Sequence, residues 1–265
     1  MLADVFVVQP FTEYIYLGGD PEVDERVTQT AKRFLAFRKA IQDLRSYYRS
    51  LRLDDSGPVR AARLPHPTYA VSSEVIHTLR FVDRFRYQGL RSDDPDNYGR
   101  SLFSAKLDNK PVLVKFCTQY GAKAHSHLAE HNFAPRLHHC VELVGRVTMV
   151  VMDVVEDASI AFYKYQDSDL PNCIVQKVQE AVDTLHAAGF VHGDIRRPNI
   201  MVREDDESSV MLIDFDWAGE AGQARYPVTL NQSDSIPWAT GTKPRGLIDM
   251  THDDHMVKML SQCRS

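Results

Sequence analysis

Apolar residues recur along this chain in short alternating runs broken by polar turns, with two longer stretches of helical period. Val5-Phe6-Val7-Val8 and Tyr14-Ile15-Tyr16-Leu17 read as strands, closed by Gly18-Gly19-Asp20. Asp20-Pro21 then opens a long helix, with Glu22, Asp24 and Glu25 complementing its first turns. Phe34, Phe37, Ile41, Leu44, Tyr48 and Leu51 fall three or four apart, an amphipathic stripe with most of the basic residues on other faces. That pattern suits a helix packed on a larger domain with a solvated basic side, or an arm for a partner. The polar stretch from Asp54 to Pro67 reads as a linker.

Strands are expected around Leu79–Tyr87, Leu102–Leu107 and Val112–Phe116, the last two joined by a turn at Asn109-Lys110. A short helix from Gly121 to His131 follows, ended by Asn132-Phe133-Ala134-Pro135. Leu143–Val147 and Thr148–Val155 read as a hairpin. From Asp169-Leu170-Pro171 a helix carries Ile174, Val178, Ala181, Val182 and Leu185 on one face and stops at Gly189. Phe190-Val191 leads into a polar loop. The apolar runs Ile200–Val202 and Val210–Ile213 then form a hairpin with a solvated tip at Glu204–Ser209. A last helix begins near Thr251.

Composition narrows the class. At 265 residues the chain is long enough for two lobes with sizeable cores. A net charge of −5 gives no reason to expect nucleic-acid or anionic-membrane binding. The four cysteines lack paired or zinc-binding spacing, and the histidines at 125, 127, 131, 138 and 139 lack the spacing of a closed metal site. The start lacks a basic n-region, and no apolar run reaches membrane-spanning length. An intracellular protein, cytoplasmic or nuclear, is the expectation.

The chemistry gathers between Phe190 and Asp216. Asp194 and Asn199 share the loop, and the hairpin folds the chain back so that Asp214 returns beside Asn199. Three oxygen-bearing side chains then surround one point. Mg²⁺ takes hard oxygen ligands, commonly one or two carboxylates plus substrate phosphates. A further carboxylate is left to orient or deprotonate a hydroxyl.

His192-Gly193-Asp194-Ile195-Arg196-Arg197-Pro198-Asn199 resembles the catalytic loop of the protein-kinase-like fold, and Asp214-Phe215-Asp216 resembles its metal-binding element. The resemblance implies Asp194 as the base, Asn199 and Asp214 as metal ligands, and Arg196 as a cation steadying the transferred phosphoryl group. Lys115, in Val112-Leu113-Val114-Lys115-Phe116, resembles the lysine that contacts nucleotide phosphates. Glu130 is the one acid on the following helix able to pair with it, although the position expected to carry that acid lies nearer His125. Met152 is implied at the back of an adenine pocket, with the backbone of Asp153 to Val155 bonding the base. One acid of His252-Asp253-Asp254 is implied to brace the catalytic loop from below.

The resemblance covers roughly residues 75–260. It implies an α+β, two-lobed protein-kinase-like fold with a shortened C-terminal lobe and an N-terminal strand and helix extension. The expected division is 1–68 for the extension and linker, 69–157 for the N-lobe and 158–265 for the C-lobe. Among such domains the chain is similar to those of fungal proteins and of Crinkler-type effectors. The implied activity is ATP- and Mg²⁺-dependent phosphorylation of a protein Ser/Thr hydroxyl. Two alternatives stand beside it: a small-molecule kinase of the choline or aminoglycoside type, and a pseudokinase acting as a binding module. The departures motivate them. Gly193 stands where many regulated kinases carry arginine, and Asp216 adds an acid after Asp-Phe. The segment between Gly89 and Gly99 also holds Asp93, Asp94 and Asp96 where closely spaced glycines would cover phosphates.

Overall fold

The computed structural model describes residues 23–50, 65, 68–72, 75–85, 101–143, 146–206, 209–233 and 235–261. The expected strands before residue 20, the linker at 54–64 and the acidic 89–99 segment lie outside the described residues. The chain divides into two compact units, Met1–Arg63 and Leu64–Ser265. In the first, α1 (Val23–Ser50) is one continuous helix. Phe34, Phe37, Ile41 and Leu44 of its apolar stripe are exposed.

The second unit opens with β1 (Tyr69–Ser72), β2 (Val75–Arg84), β3 (Leu102–Leu107) and β4 (Lys110–Cys117). Then come α2 (Ala122–Glu130), β5 (Leu137–Leu143) and β6 (Val147–Asp153). These strands form one antiparallel sheet in the order β1-β2-β3-β4-β6-β5. The β3–β4 turn is set by Asp108 and Asn109, at φ 47° and 69°. Consecutive positive φ values are what a tight hairpin wants, and Asp and Asn tolerate them best. Asp108 also caps the neighbouring strand, accepting from the Thr78 N–H at 2.8 Å. Alternation on β4 buries Val112 and Val114, so Leu113 and Lys115 face the other way. The buried side is an aromatic core in which Phe103 meets both Phe81 and Phe116 with centroids 5.8 Å apart.

The expected hairpin before Asp153 is present but begins earlier. Its first strand is the histidine-rich Leu137–Leu143, which has no clean apolar alternation because its residues are nearly all half-buried.

Beyond the sheet come β7 (Ala158–Ile160), α3 (Ala161–Lys164), α4 (Asn172–Ala187) and β8 (Phe190–Val191). A 3₁₀ turn (Arg197–Asn199), β9 (Ile200–Arg203), β10 (Val210–Leu212), β11 (Gly219–Glu220) and α5 (Met250–Met259) complete the unit. Helix α4 buries Ile174, Val178, Ala181, Val182 and Leu185, all the positions its 3.6-residue period selects. Gly189, at φ 78°, ends it in the left-handed conformation that favours glycine. Helix α5 starts in a capping box, Asp249 accepting from Thr251 N–H and His252 answering to the Asp249 N–H. The core under the His192–Asn199 loop joins α4 to Ile195, Ile200, Leu212, Phe215 and Val257.

Candidate active site

The loop His192–Asn199 is built from beneath. Asp253 of α5, buried to 1% exposure, accepts from the main-chain N–H of His192 and of Gly193, each at 2.7 Å. A carboxylate taking two amide hydrogen bonds fixes the loop's entry. Gly193 lies at φ 82°, and a Cβ there would sit 2.7 Å from Ile248 Cδ1. The missing arginine therefore has a local cause: a side chain here needs a left-handed backbone and a shift of the Ile248 side chain. Arg197, equally buried, donates to the carbonyls of Tyr165, Ser168 and Leu260 at 3.1–3.2 Å and ties the loop to α3 and to the end of α5. Sequence reading missed its role, because a buried arginine paired with carbonyls leaves no pattern in the sequence.

Above this support Asp194 is almost covered. Arg196 holds its carboxylate with two N–H groups, one on each oxygen, the longer at 2.8 Å. The Arg196 guanidinium also lies 5.7 Å from the Trp238 ring. The Asn199 amide nitrogen donates to the Asp194 carbonyl at 2.9 Å and to its carboxylate at 2.8 Å. With its NH₂ committed, Asn199 has its Oδ1 to offer as an acceptor or ligand.

The hairpin register brings the second motif to the first. Ile200 pairs Leu212, and Ile213 N–H donates to Asn199 O at 3.0 Å, so Asp214 follows directly beside Asn199. Asp214 has φ 68°, and Phe215 is fully buried.

Lys115 meets both acids of that motif, its Nζ 2.6 Å from Asp214 Oδ1 and 2.6 Å from Asp216 Oδ1. Burial by itself would lower the lysine's pKa, but the two carboxylates outweigh it and hold it above its ordinary value. Asp216 is pushed up to about 6, by burial first and by the nearby charge of Asp214, against the pull of Lys115. Burial likewise pushes the Cys117 thiol up to about 12.

Helix α2 does not supply the acid expected for Lys115. Glu130 is its last residue and is exposed, at the helix end where the dipole disfavours a carboxylate. The position nearer its middle holds His125, fully buried. Its Nε2 donates to Pro135 O, so in the neutral ring Nδ1 accepts from the Tyr120 hydroxyl at 2.8 Å. Burial lowers its pKa to about 4, so it sits neutral against Phe215. The start of α2 docks on the second motif through backbone: Gly121 N–H donates to Phe215 O at 2.8 Å. A Cβ on Gly121 would lie 2.4 Å from Ala218 O, so the approach requires glycine.

A cleft of about 480 Å³ runs past these groups. Leu102 and Leu113 line it on the sheet side, Met201 and Ile213 opposite, with Met152, Asp153 and Val155 at its back. Lys115, Asn199, Asp214 and Asp216 line its polar end. That size and division suit a flat apolar ring with a charged tail. The Asp153 N–H is already given to Arg136 O at 2.9 Å, which leaves base contacts to its carbonyl and to Val155. Asn199 Oδ1 and the Asp214 carboxylate are a hard oxygen pair of the kind Mg²⁺ takes when phosphates supply further ligands. Among the described residues no cluster of three or more His, Cys, Asp and Glu forms a metal cage, the histidines included.

Residues 118–234 match the family described as the protein kinase domain. The fold is similar to that of the Cydia pomonella granulovirus kinase PK-1, with TM-score 0.51 and 12% identity over 69% of this chain and 67% of that one. It is also similar to vaccinia-related kinase 3, with TM-score 0.51 and 15% identity over 78% of this chain and 67% of that one. The comparison with curated proteins found no match. The fold is therefore protein-kinase-like, α+β and two-lobed. The family match is confined to residues 118–234, and the fold around that stretch is shared with those two kinases. No described helix is long and apolar enough to cross a membrane.

Proposed function

We propose that the chain is an ATP- and Mg²⁺-dependent phosphotransferase acting on a protein Ser/Thr hydroxyl. The observation that carries this reading is the meeting of Lys115, Asn199 and Asp214 at the polar end of one cleft, with Asp194 hydrogen-bonded to Asn199 beside it. The bound nucleotide would supply the phosphoryl group and the metal would neutralise charge on its phosphates. Met152, Asp153 and Val155 hold the base, while Asn199 and Asp214 provide the metal ligands. Lys115 turns from Asp214 toward the phosphates. Asp194 orients the acceptor hydroxyl and takes its proton, and Arg196, already on that carboxylate, steadies charge where the phosphoryl group passes. Positioning and electrostatics then provide most of the acceleration.

A small hydroxylated acceptor is the second reading, favoured by Asp216, the acid after Asp-Phe that is found on the small-molecule side of this fold. We read VLVKF and HGDIRRPN as resembling fungal and Crinkler-type kinase domains, a reading that goes with the first. The test is transfer of labelled γ-phosphate from ATP, with and without Mg²⁺, to the protein itself, to generic protein substrates and to hydroxylated metabolites. Label on serine or threonine favours the first reading and label on a metabolite the second. Mg²⁺-dependent thermal stabilisation by ATP with no transfer to any acceptor would make the chain a binding module instead.

A further inference from the structure

We propose that Asp216 is the acid that holds Lys115 in place for the nucleotide phosphates, taking over the task that α2 leaves unfilled. The inference rests on the phosphotransferase reading and deepens it. Two carboxylates reach the Lys115 ammonium at equal distance, 2.6 Å each, from Asp214 and from Asp216. In that reading Asp214 is committed to metal beside Asn199, and a carboxylate drawn to a divalent cation weakens its hold on a lysine. Asp216 is then the remaining partner. Helix α2 offers no competitor, since its one acid, Glu130, is exposed at its last position and its buried middle carries His125.

Asp216 is also held to this role by its surroundings. The backbone on either side is pinned: Phe215 O accepts from Gly121 N–H at 2.8 Å, and Ala218 packs on Gly121. So α2 still fixes the lysine, through main chain rather than through a side chain of its own. Asp216 is a positioning residue: it acts on the phosphates through Lys115.

The experiment is acylation of Lys115 by a water-soluble N-hydroxysuccinimide acetate at one fixed pH, followed by mass spectrometry of its peptide, with and without MgCl₂. In the wild type and in Asp214→Asn, Lys115 should label slowly in both conditions. In Asp216→Asn it should label roughly tenfold faster with Mg²⁺ present, as expected when a partly buried ion pair loses its last partner. Asp216→Glu should restore protection. In turnover, Asp216→Asn should lower kcat about tenfold or more while KM for ATP changes little, and Asp216→Glu should recover part of it.

Wild-type labelling in Asp216→Asn would overturn the proposal. So would exposure of Lys115 by Mg²⁺ alone in the wild type, which would put Asp216 on the metal. A wild type that shows the predicted protection but transfers no phosphate would leave the ion pair standing and remove the phosphotransferase reading alone.

Discussion

The imidazole of His125 lies flat on the ring of Phe215, centroids 4.5 Å apart and planes within 4°. The contact joins α2 to the residue between the two acids of the second motif. It also makes a titratable group part of the core, with a measurable consequence.

His125 titrates at about 4 in the folded chain, because burial disfavours its charged form, against an ordinary 6.5. With the folded pKa depressed, the unfolded state binds the extra proton between those values, so this histidine lowers stability as pH falls from about 6.5 to about 4. The full shift is worth about 3 kcal/mol. Asp216 works the other way: raised to about 6, it adds stability as pH falls toward its ordinary 3.8. His125→Phe keeps the stack and removes the titration. Urea unfolding at pH 7.5 and pH 4.5 should show a smaller acid-side loss in the variant. An equal loss in both proteins would mean His125 is not buried neutral.

Asp253 receives two loop amides in a site with almost no solvent. Asp253→Ala strips both of their acceptor and should cost about 2–6 kcal/mol, since each buried unsatisfied N–H costs about 1–3. Hydrogen exchange should quicken at His192 and Gly193 before it does in α4. Uniform loss of protection across α4 and the loop would count against a local role.

How far the sequence revealed this fold differs from element to element. Helix α4 was legible because its apolar period, Pro171 and Gly189 all agree, and the β9–β10 hairpin because polar residues separate two apolar runs. The meeting of Asn199 with Asp214 follows from that hairpin alone. The partner of Lys115 did not, since Asp216 lies 101 residues away and nothing local marks the pairing. Glu130 stood out only as the one acid on its helix, and its exposed place at the helix end decides otherwise. Strand β5 was missed because half-buried histidines carry no alternation, and Arg197 because its carbonyl partners come from two distant segments.

Gly193→Arg would install the arginine common at this place in regulated kinases, and the structure opposes it twice. A left-handed backbone costs a non-glycine residue about 1–2 kcal/mol. The new Cβ would also meet Ile248 Cδ1 at 2.7 Å, within a cluster that includes Val191 and Tyr226. A loss of about 3 kcal/mol in chemical denaturation is expected, with relief in the Gly193→Arg, Ile248→Ala pair if the clash is the larger part. A neutral Gly193→Arg would show that the loop can leave its left-handed conformation cheaply.

Asp194→Asn and Asp214→Asn separate the two halves of the site while keeping side-chain shape. Asn at 194 keeps one acceptor oxygen, enough for Arg196 Nη2 and Asn199, but turns an NH₂ toward Arg196 Nε and cannot take up a proton, so in the proposed reaction the acceptor hydroxyl loses its base. Phosphoryl transfer should fall about 10²- to 10⁴-fold, with ATP still raising the melting temperature in the presence of Mg²⁺. Asn at 214 removes the charge on which metal binding depends, so transfer and the Mg²⁺ dependence of ATP stabilisation should be lost together. Lys115 keeps Asp216 in that variant, and the fold should survive. If the two substitutions gave the same thermal response to Mg²⁺ and ATP, the division of labour between Asp194 and Asp214 would be wrong.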